Sequence, residues 1–403
     1  MTTTVVAVGA GQASAVAART LRRRGFDGRI VLVGEEAHRP YQRPPLSKEY
    51  LRGGEDDDLY LLPEQWCAAK DVEVVLGTRV TRLVPTSRTV ELADGRELTA
   101  DAVLLATGGR ARRLPGATGD RVCYLRTLDD AERISALIRP GGQVVVIGGG
   151  FIGSEVAASA RARGADVTMI EMLDVPLLRV LGVELGAVCA EIHRRGGVDM
   201  RLGQSVESVT QRGERVEVRT GAGDVIEGDL VVVGVGIEPN VELAEQAGLT
   251  VGNGIVVDEH LRTSIPGIYA AGDVANVRHP LFGSLRVEHF DNASKQGAVA
   301  ANNIMGRETV FDDPYWFWSD QYDLNLQYTG HATSWDEIVV RGSTEELSFV
   351  AFYLRDGIVR AAFGVERGDD VAIAKELVAQ RATPDPLQLA DPDIDLYDLV
   401  PTG

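Results

Sequence analysis

Two stretches of this chain run the same course: "VVAVGAGQASAVAA" from Val5 and "VVVIGGGFIGSEVAA" from Val144. Each goes from apolar β-formers through a glycine turn into a segment with helical spacing. A strand that turns on glycines straight into a helix brings backbone N–H groups and a helix N-terminus to one point, which suits a bound pyrophosphate. Two such turns in one chain predict two dinucleotide sites. In the first, Gly9 permits the tight turn, Gly11 lets a ligand approach the backbone, and Ser14, where the pattern has Gly or Ala, is small enough to keep the helix close to its strand. Glu35, at the end of the next strand "RIVLVGEE", is placed to accept hydrogen bonds from ribose hydroxyls. The second turn has the full pattern in Gly148, Gly150 and Gly153, and Glu171 closes "DVTMIE". A carboxylate there suits a free 2′-hydroxyl and repels a 2′-phosphate, so NADH is the expected dinucleotide at this site, with Arg179 nearby as the opposing charge.

The rest of the chain fits around these units. At 403 residues with 45 glycines, it has room for two or three cores. "VEVVLGTRVTRLVP", "TVELADGRELTA" and "DAVLLATGG" read as strands, with a hairpin at Asp94-Gly95. In "RPYQRPPLSKEYLRGG" the prolines argue for a loop or helix entry with Ser47 as a possible cap. "GIYAAGDVANV" reads as a strand ending at Gly272 and a helix starting near Asp273, and Gly236 lies on a further glycine turn, "GVGIEPN". From about Trp318 aromatic-rich strands, a helix and an acidic tail, expected to be partly mobile, form another region. The expected fold class is α/β: two Rossmann-like dinucleotide-binding domains, the first of them discontinuous, and a C-terminal α+β domain. The expected boundaries are 1–108 with 236–317, 109–235, and 318–403.

Composition narrows the function. Forty-one basic against fifty-nine acidic side chains give a net charge of −18, which disfavours nucleic acid as a partner. The local basic runs, Arg22 to Arg24 and Arg110, Arg112 and Arg113, are expected to be solvated faces. No run of about 18 apolar residues calls for a membrane, and the start "MTTT" enters a strand directly, so a cytoplasmic location is expected. Cys67, Cys123 and Cys189 are far apart and form no CxxC or CxxxxC pair, so no dithiol can relay electrons and no cysteine-rich segment can hold an iron–sulfur cluster or other metal.

"LLATGG" ahead of the second turn and "AAGD" late in the chain resemble the two-dinucleotide flavoprotein reductases. "RPPLSK", "YLRTLDDA", "GGGFIGSE", "EHFDNASKQG" and "WFWSDQY" resemble, over nearly the whole length, the NADH-dependent ferredoxin reductases that feed oxygenases, the putidaredoxin reductase type. That resemblance implies bound FAD in the first site and NADH as substrate in the second. Ala13, Glu35, Arg43, Lys48, Val80, Arg126, Asp273 and Phe290 then fall at FAD-contacting positions, Thr107 and Gly108 along the cofactor, and Trp318 near the flavin ring. Asp273 would meet the ribityl and phosphate region at a helix N-terminus. Phe151 would stand over the flavin until the nicotinamide displaces it, and Ile152 beside it is a further cofactor-binding candidate.

Lys48 can set an ammonium where charge appears when the flavin is reduced, and Glu155, two residues past Gly153, can pair with Lys48 and hold it. These two are the candidate catalytic residues. With no cysteine pair, electrons are expected to leave one at a time to a separate [2Fe–2S] ferredoxin serving a cytochrome P450 or a ring-hydroxylating oxygenase. Arg39, Arg43, Arg286 and Arg307 are candidates for a basic docking ring. Rubredoxin reductase, monodehydroascorbate reductase and a redox-sensing flavoprotein of the apoptosis-inducing-factor type remain the alternatives.

Overall fold

Valine, isoleucine and leucine crowd the strands before both glycine turns, and unbroken apolar runs of this kind belong inside parallel sheets covered on both faces. In the computed structural model, which describes residues 3–54 and 59–401, each of these strands is the middle one of a five-stranded parallel sheet. The chain forms two compact units. One contains Met1–Gln42, Asp57–Arg110 and Glu238–Asp313; the other contains Arg43–Asp56, Ala111–Ile237 and Pro314–Gly403.

In the first unit the parallel sheet runs Ile268–Ala270, Ala102–Leu105, Thr4–Val8, Arg29–Val33, Val72–Val75. The helix Gln12–Arg23 makes the crossover from the central strand and packs its small residues against a second helix, Phe290–Ile304. Strands Val80–Val84, Thr89–Leu92 and Glu97–Thr99 add an antiparallel sheet whose second connection is the Asp94-Gly95 turn. One expectation is corrected here. After the strand Ile268–Ala270 no helix begins near Asp273: the residue lies in a short turn leading to the strand Ala275–His279, and the helix waits until Phe290. The β-branched valines in "VANVRH" favour the extended chain over helix.

The second unit repeats the plan with Val198–Arg201, Asp166–Ile170, Gln143–Ile147, Leu230–Val233 and Val122–Cys123 in its parallel sheet. The same unit holds an antiparallel sheet ordered Trp316–Gln321, Leu324–Gly330, Ile358–Val365, Ser348–Arg355, Glu337–Ser343. One side of this sheet packs on the helix Leu178–Arg195 through Leu181, Leu185, Phe317, Tyr328, Tyr353 and Phe363. The helix is broken at Gly182, whose φ of +77° is open to glycine and whose place against Trp335 leaves no room for a side chain. Helix Gly368–Ala379 packs on the same sheet. The acidic tail is not loose. Buried Arg341 donates to the carbonyls of Asp391, Pro392 and Ile394, and Asp385 and Asp395 cap the short helical turns Pro386–Ala390 and Leu396–Leu399.

Candidate functional site

Three features are candidates for function: one glycine cradle in each unit and a buried ion pair in the second. In the first cradle Gly9 has a φ of +106°, and a Cβ there would collide with the Ala106 carbonyl. Gly11 is different. It caps the helix Gln12–Arg23 with an ordinary φ of −97°, and a Cβ on it would meet no protein atom within 4 Å. Neither backbone strain nor packing asks for glycine at 11, and close approach of a ligand to the backbone does. The cradle therefore fits a pyrophosphate. Ser14 is fully buried and donates to the Gly9 carbonyl at 2.5 Å, tying the helix back to the turn.

Around this turn the structure adds amides that the sequence did not single out. The Gly272 N–H, just before Asp273, donates to Gln296 Oε1 at 2.8 Å, and Gln296 Nε2 donates to Asn292 Oδ1 at 2.9 Å. Asn292 in turn donates to the Val287 carbonyl at 2.9 Å. Gly297 lies so close to Ala13 that a Cβ would strike its carbonyl. Thr107 donates to the Asn240 carbonyl at 2.7 Å, and Asn240 Nδ2 donates to the Thr107 carbonyl at 2.8 Å, which locks "ATGG" in place beside Gly108 with its φ of +62°. Glu35 is exposed at the end of its strand, Val80 is half-buried at the start of another, and Phe290 opens the long helix. The only local signal for the amides was Asn292 and Gln296 at helical spacing among small residues.

In the second cradle Gly148 has a φ of +102°, and Gly153 abuts the Gly148 carbonyl. Gly150 repeats the case of Gly11: it caps helix Phe151–Ala162 with a φ of −77°, and a Cβ would meet nothing within 4 Å. Glu171 is already oriented, with Oε2 accepting the Gly149 N–H at 2.6 Å and Oε1 the Leu173 N–H at 2.8 Å. Each oxygen keeps a lone pair for a ribose hydroxyl. Ile152 is exposed, and exposed Gly236 accepts the Arg112 N–H through its carbonyl at 2.9 Å.

Lys48 and Glu155, 107 positions apart in the numbering, meet in the second unit with Nζ 3.0 Å from Oε2. Both are almost inaccessible, 4 % and 3 % exposed. A buried charge pair survives only if further hydrogen bonds satisfy it. Here Ser47 donates to Glu155 Oε2, Ser319 donates to Oε1 at 2.7 Å, and the lysine also donates to the Pro44 carbonyl at 3.3 Å. Ser47, expected as a cap, instead ends a 3₁₀ turn, Pro44–Ser47, which the two prolines preform and which faces its hydroxyl toward the carboxylate. The Trp318 ring centroid is 5.9 Å from Lys48 Nζ, within cation–π range. Phe151 packs edge-on to Phe317 at 4.6 Å. Arg43 donates to the Arg126 carbonyl at 2.5 Å, and the Arg126 N–H is held by Asp130.

The cysteines take no part. All three are buried, and burial pushes each thiol up, Cys189 to about 12, so none is a thiolate near neutrality. Among the described residues no cluster of His, Cys, Asp and Glu can hold a metal ion. Two of the arginines expected in a docking ring are paired, Arg39 with Glu64 at 3.1 Å and Arg286 with Glu288 at 2.7 Å. The basic runs are also partly spent: Arg22 donates to four backbone carbonyls, and Arg110 pairs with Glu238 and Glu242.

Known proteins are similar to this chain over nearly its whole length. Residues 3–297 match the family model described as pyridine nucleotide-disulphide oxidoreductase, and residues 316–400 match the model described as reductase C-terminal. The chain is 41% identical over 397 residues to rhodocoxin reductase of Rhodococcus erythropolis, covering 97% of this chain and 93% of that one. It is 39% identical over 398 residues to the ferredoxin–NAD(+) reductase component of the p-cumate 2,3-dioxygenase system of Pseudomonas putida, covering 98% of each. Among solved structures, the covalent putidaredoxin reductase–putidaredoxin complex superposes with a TM-score of 0.95 at 38% identity, over 98% of both chains. The ferredoxin reductase for the CYP199A2 system of Rhodopseudomonas palustris does so with the same score and identity, over 99% of this chain and 100% of that one. With both cradles, the C-terminal sheet and full-length likeness in agreement, the chain belongs to the pyridine nucleotide-disulphide oxidoreductases, on the branch of FAD-containing, NAD(H)-using ferredoxin reductases of oxygenase systems.

Proposed function

We propose that this protein is an NADH:ferredoxin reductase that passes electrons one at a time to a [2Fe–2S] ferredoxin serving an oxygenase, a cytochrome P450 or a ring-hydroxylating enzyme. Bound FAD supplies the exchange between a two-electron donor and a one-electron acceptor. The observation that carries this reading is the buried Lys48–Glu155 pair in a chain whose cysteines are all buried and unpaired. A fixed cation without a dithiol suits a flavin that discharges directly to a partner.

The residues divide the work. Gly9, Gly11 and Ala13 bind the FAD pyrophosphate while Ser14 ties their helix to the turn, Glu35 binds its ribose, and Thr107, Gly108 and Asp273 the length of the cofactor, with Val80, Arg126 and Phe290 as further contacts. Arg43 acts by bracing Arg126. Lys48 supplies positive charge to the flavin, and Glu155 keeps that charge in position. Gly148, Gly150, Gly153, Ile152 and Gly236 receive NADH, and Glu171 selects it over NADPH. Phe151 and Trp318 exclude water from the reacting ring. FAD takes 1–108 with 236–317, NADH takes 109–235, and 318–403 completes the site. We place the protein in the cytoplasm; among its described residues no helix is long and apolar enough to cross a membrane.

The test is NADH-driven cytochrome c reduction by the flavin-loaded protein, with and without a catalytic amount of a [2Fe–2S] ferredoxin. The ferredoxin is expected to raise the rate many-fold, and NADPH to be a poor donor. Glu171→Gln is expected to narrow the NADH/NADPH ratio of kcat/KM by about tenfold, the size of one hydrogen bond to a charged group. If rubredoxin accelerates turnover and the ferredoxin does not, the acceptor is wrong. If neither does, a small-molecule acceptor replaces the protein partner.

A further inference from the structure

Glu155 has two oxygens, and only one of them is occupied by Lys48. The other, Oε1, accepts a hydrogen bond at 2.7 Å from Ser319, a fully buried residue on the first strand of the antiparallel sheet. Ser319 is itself addressed by Gln321, also fully buried, whose Nε2 lies 3.1 Å from Ser319 Oγ. A serine hydroxyl has one proton and two lone pairs. Accepting a hydrogen bond from Gln321 on one lone pair, Ser319 has its single O–H left to point at the carboxylate. The chain of donors thus runs one way, from Gln321 to Ser319 to Glu155. Successive hydrogen bonds in one direction polarise and strengthen each other.

The amide of Gln321 bears a cost that marks its role. Its Oε1 is buried without a hydrogen-bond partner among the described residues, and natural interiors rarely leave such an acceptor unmet. Turning the amide over would place that oxygen against a hydroxyl already committed to an anion. The side chain keeps its unmet acceptor and aims its N–H at Ser319.

We infer that Ser319, oriented by Gln321, is a positioning residue for the Lys48–Glu155 pair, so that the C-terminal sheet sets the place of the ammonium. With donors on both oxygens, the Glu155 carboxylate plane cannot turn, and Nζ is held 3.0 Å from Oε2. Remove the Ser319 hydroxyl and Oε1 becomes a buried acceptor in search of a donor. The Lys48 ammonium, already beside Oε2, is then shared with Oε1 and drawn closer to the carboxylate, so less of its charge is left for a bound flavin. The inference rests on the reading of Lys48 given under the proposed function.

The experiment measures the two-electron midpoint potential of the bound flavin in Ser319→Ala, Ser319→Thr, Gln321→Met and Lys48→Met, with the visible spectrum as a check on FAD content. Ser319→Ala is expected to shift the balance of reduced to oxidised flavin about tenfold toward oxidised, the weight of one charge-assisted hydrogen bond. For a two-electron couple that is a potential lower by about 30 mV. Lys48→Met moves further in the same direction, and Ser319→Thr, which retains the hydroxyl, returns toward the parent value. If Lys48→Met lowers the potential while Ser319→Ala leaves it alone or raises it, the positioning role is overturned and the Lys48 reading stands. An unchanged potential in Lys48→Met removes that reading and the positioning role with it. Should Ser319→Ala fail to fold or to retain FAD, Gln321→Met decides: a smaller shift downward supports the relay, and no shift overturns it.

Discussion

Glycines of one motif have different reasons for being glycine, and the difference is measurable. Gly9 is demanded by its φ of +106° and by the Ala106 carbonyl, whereas Gly11 is demanded by nothing in the protein. Gly9→Ala is therefore expected to destabilise the apoprotein by about 1–3 kcal/mol, the usual weight of a strained backbone position. Gly11→Ala is expected to leave the apoprotein melting curve where it was and to reduce FAD retention. Thermal melting of apoprotein together with flavin content after gel filtration separates the two. If both variants lose apoprotein stability equally, the ligand-approach argument for Gly11 fails. Ser14 belongs to the same scale. At the equivalent Gly153 a Cβ would run into Gly148, yet at Ser14 the helix has room, and the hydroxyl uses it to bind the Gly9 carbonyl.

Elements were legible to the degree that their causes are local. The two strand–turn–helix units, the Asp94-Gly95 hairpin and the C-terminal helix all stand where period and turn chemistry put them. Asp273 was misread because "AAGD" suggests a helix cap, while the following "VANVRH" pairs in a sheet with Gly254–Val257 and Gly283–Arg286, partners that no local pattern reveals. In the candidate site, Lys48 and Glu155 were found from their motifs. Ser319, Asn240 and Gln296 were not, since each matters through a partner outside its own segment, and Gln321 was not because it acts only through Ser319. The tail is a similar case, and its hold can be tested. Arg341 grips three backbone carbonyls, so Arg341→Met is expected to make the segment after Ala390 susceptible to limited proteolysis. Mass spectrometry of the digest reads this out, and an unchanged cleavage pattern would show that the caps at Asp385 and Asp395 suffice.

For the whole molecule, buried histidines give stability a definite dependence on pH. His193 is fully buried, meets the Tyr322 hydroxyl at 2.9 Å through Nδ1, and is lowered by desolvation from 6.5 to about 4. Between these values the unfolded chain binds a proton that the folded chain refuses, so stability falls as pH is lowered from 6.5 toward 4 and is fully present above 6.5. His279 and His331, also lowered by burial, act with the same sign. The contribution of His193 amounts to about 3 kcal/mol across the window. Urea unfolding at pH 7, 5.5 and 4.5 is expected to show this slope, and His193→Gln to flatten it. An unchanged slope in that variant would assign the pH dependence to other groups. The carboxylates held low by their partners, Asp229 and Glu242 among them, lose their contributions only at lower pH, as they become protonated through their depressed values.

The carboxylate of Glu155 also carries a timetable. Its donors lie on both sides of it in the chain: Ser47 is 108 positions before it and Ser319 is 164 positions after. A ribosome adding about 5–20 residues per second needs roughly ten to thirty seconds to cover the second gap. Throughout that interval the nascent chain has its glutamate and lysine but not the serine that completes them. The charge pair in its final form is thus a late product of synthesis, assembled only after the strand Trp316–Gln321 has emerged.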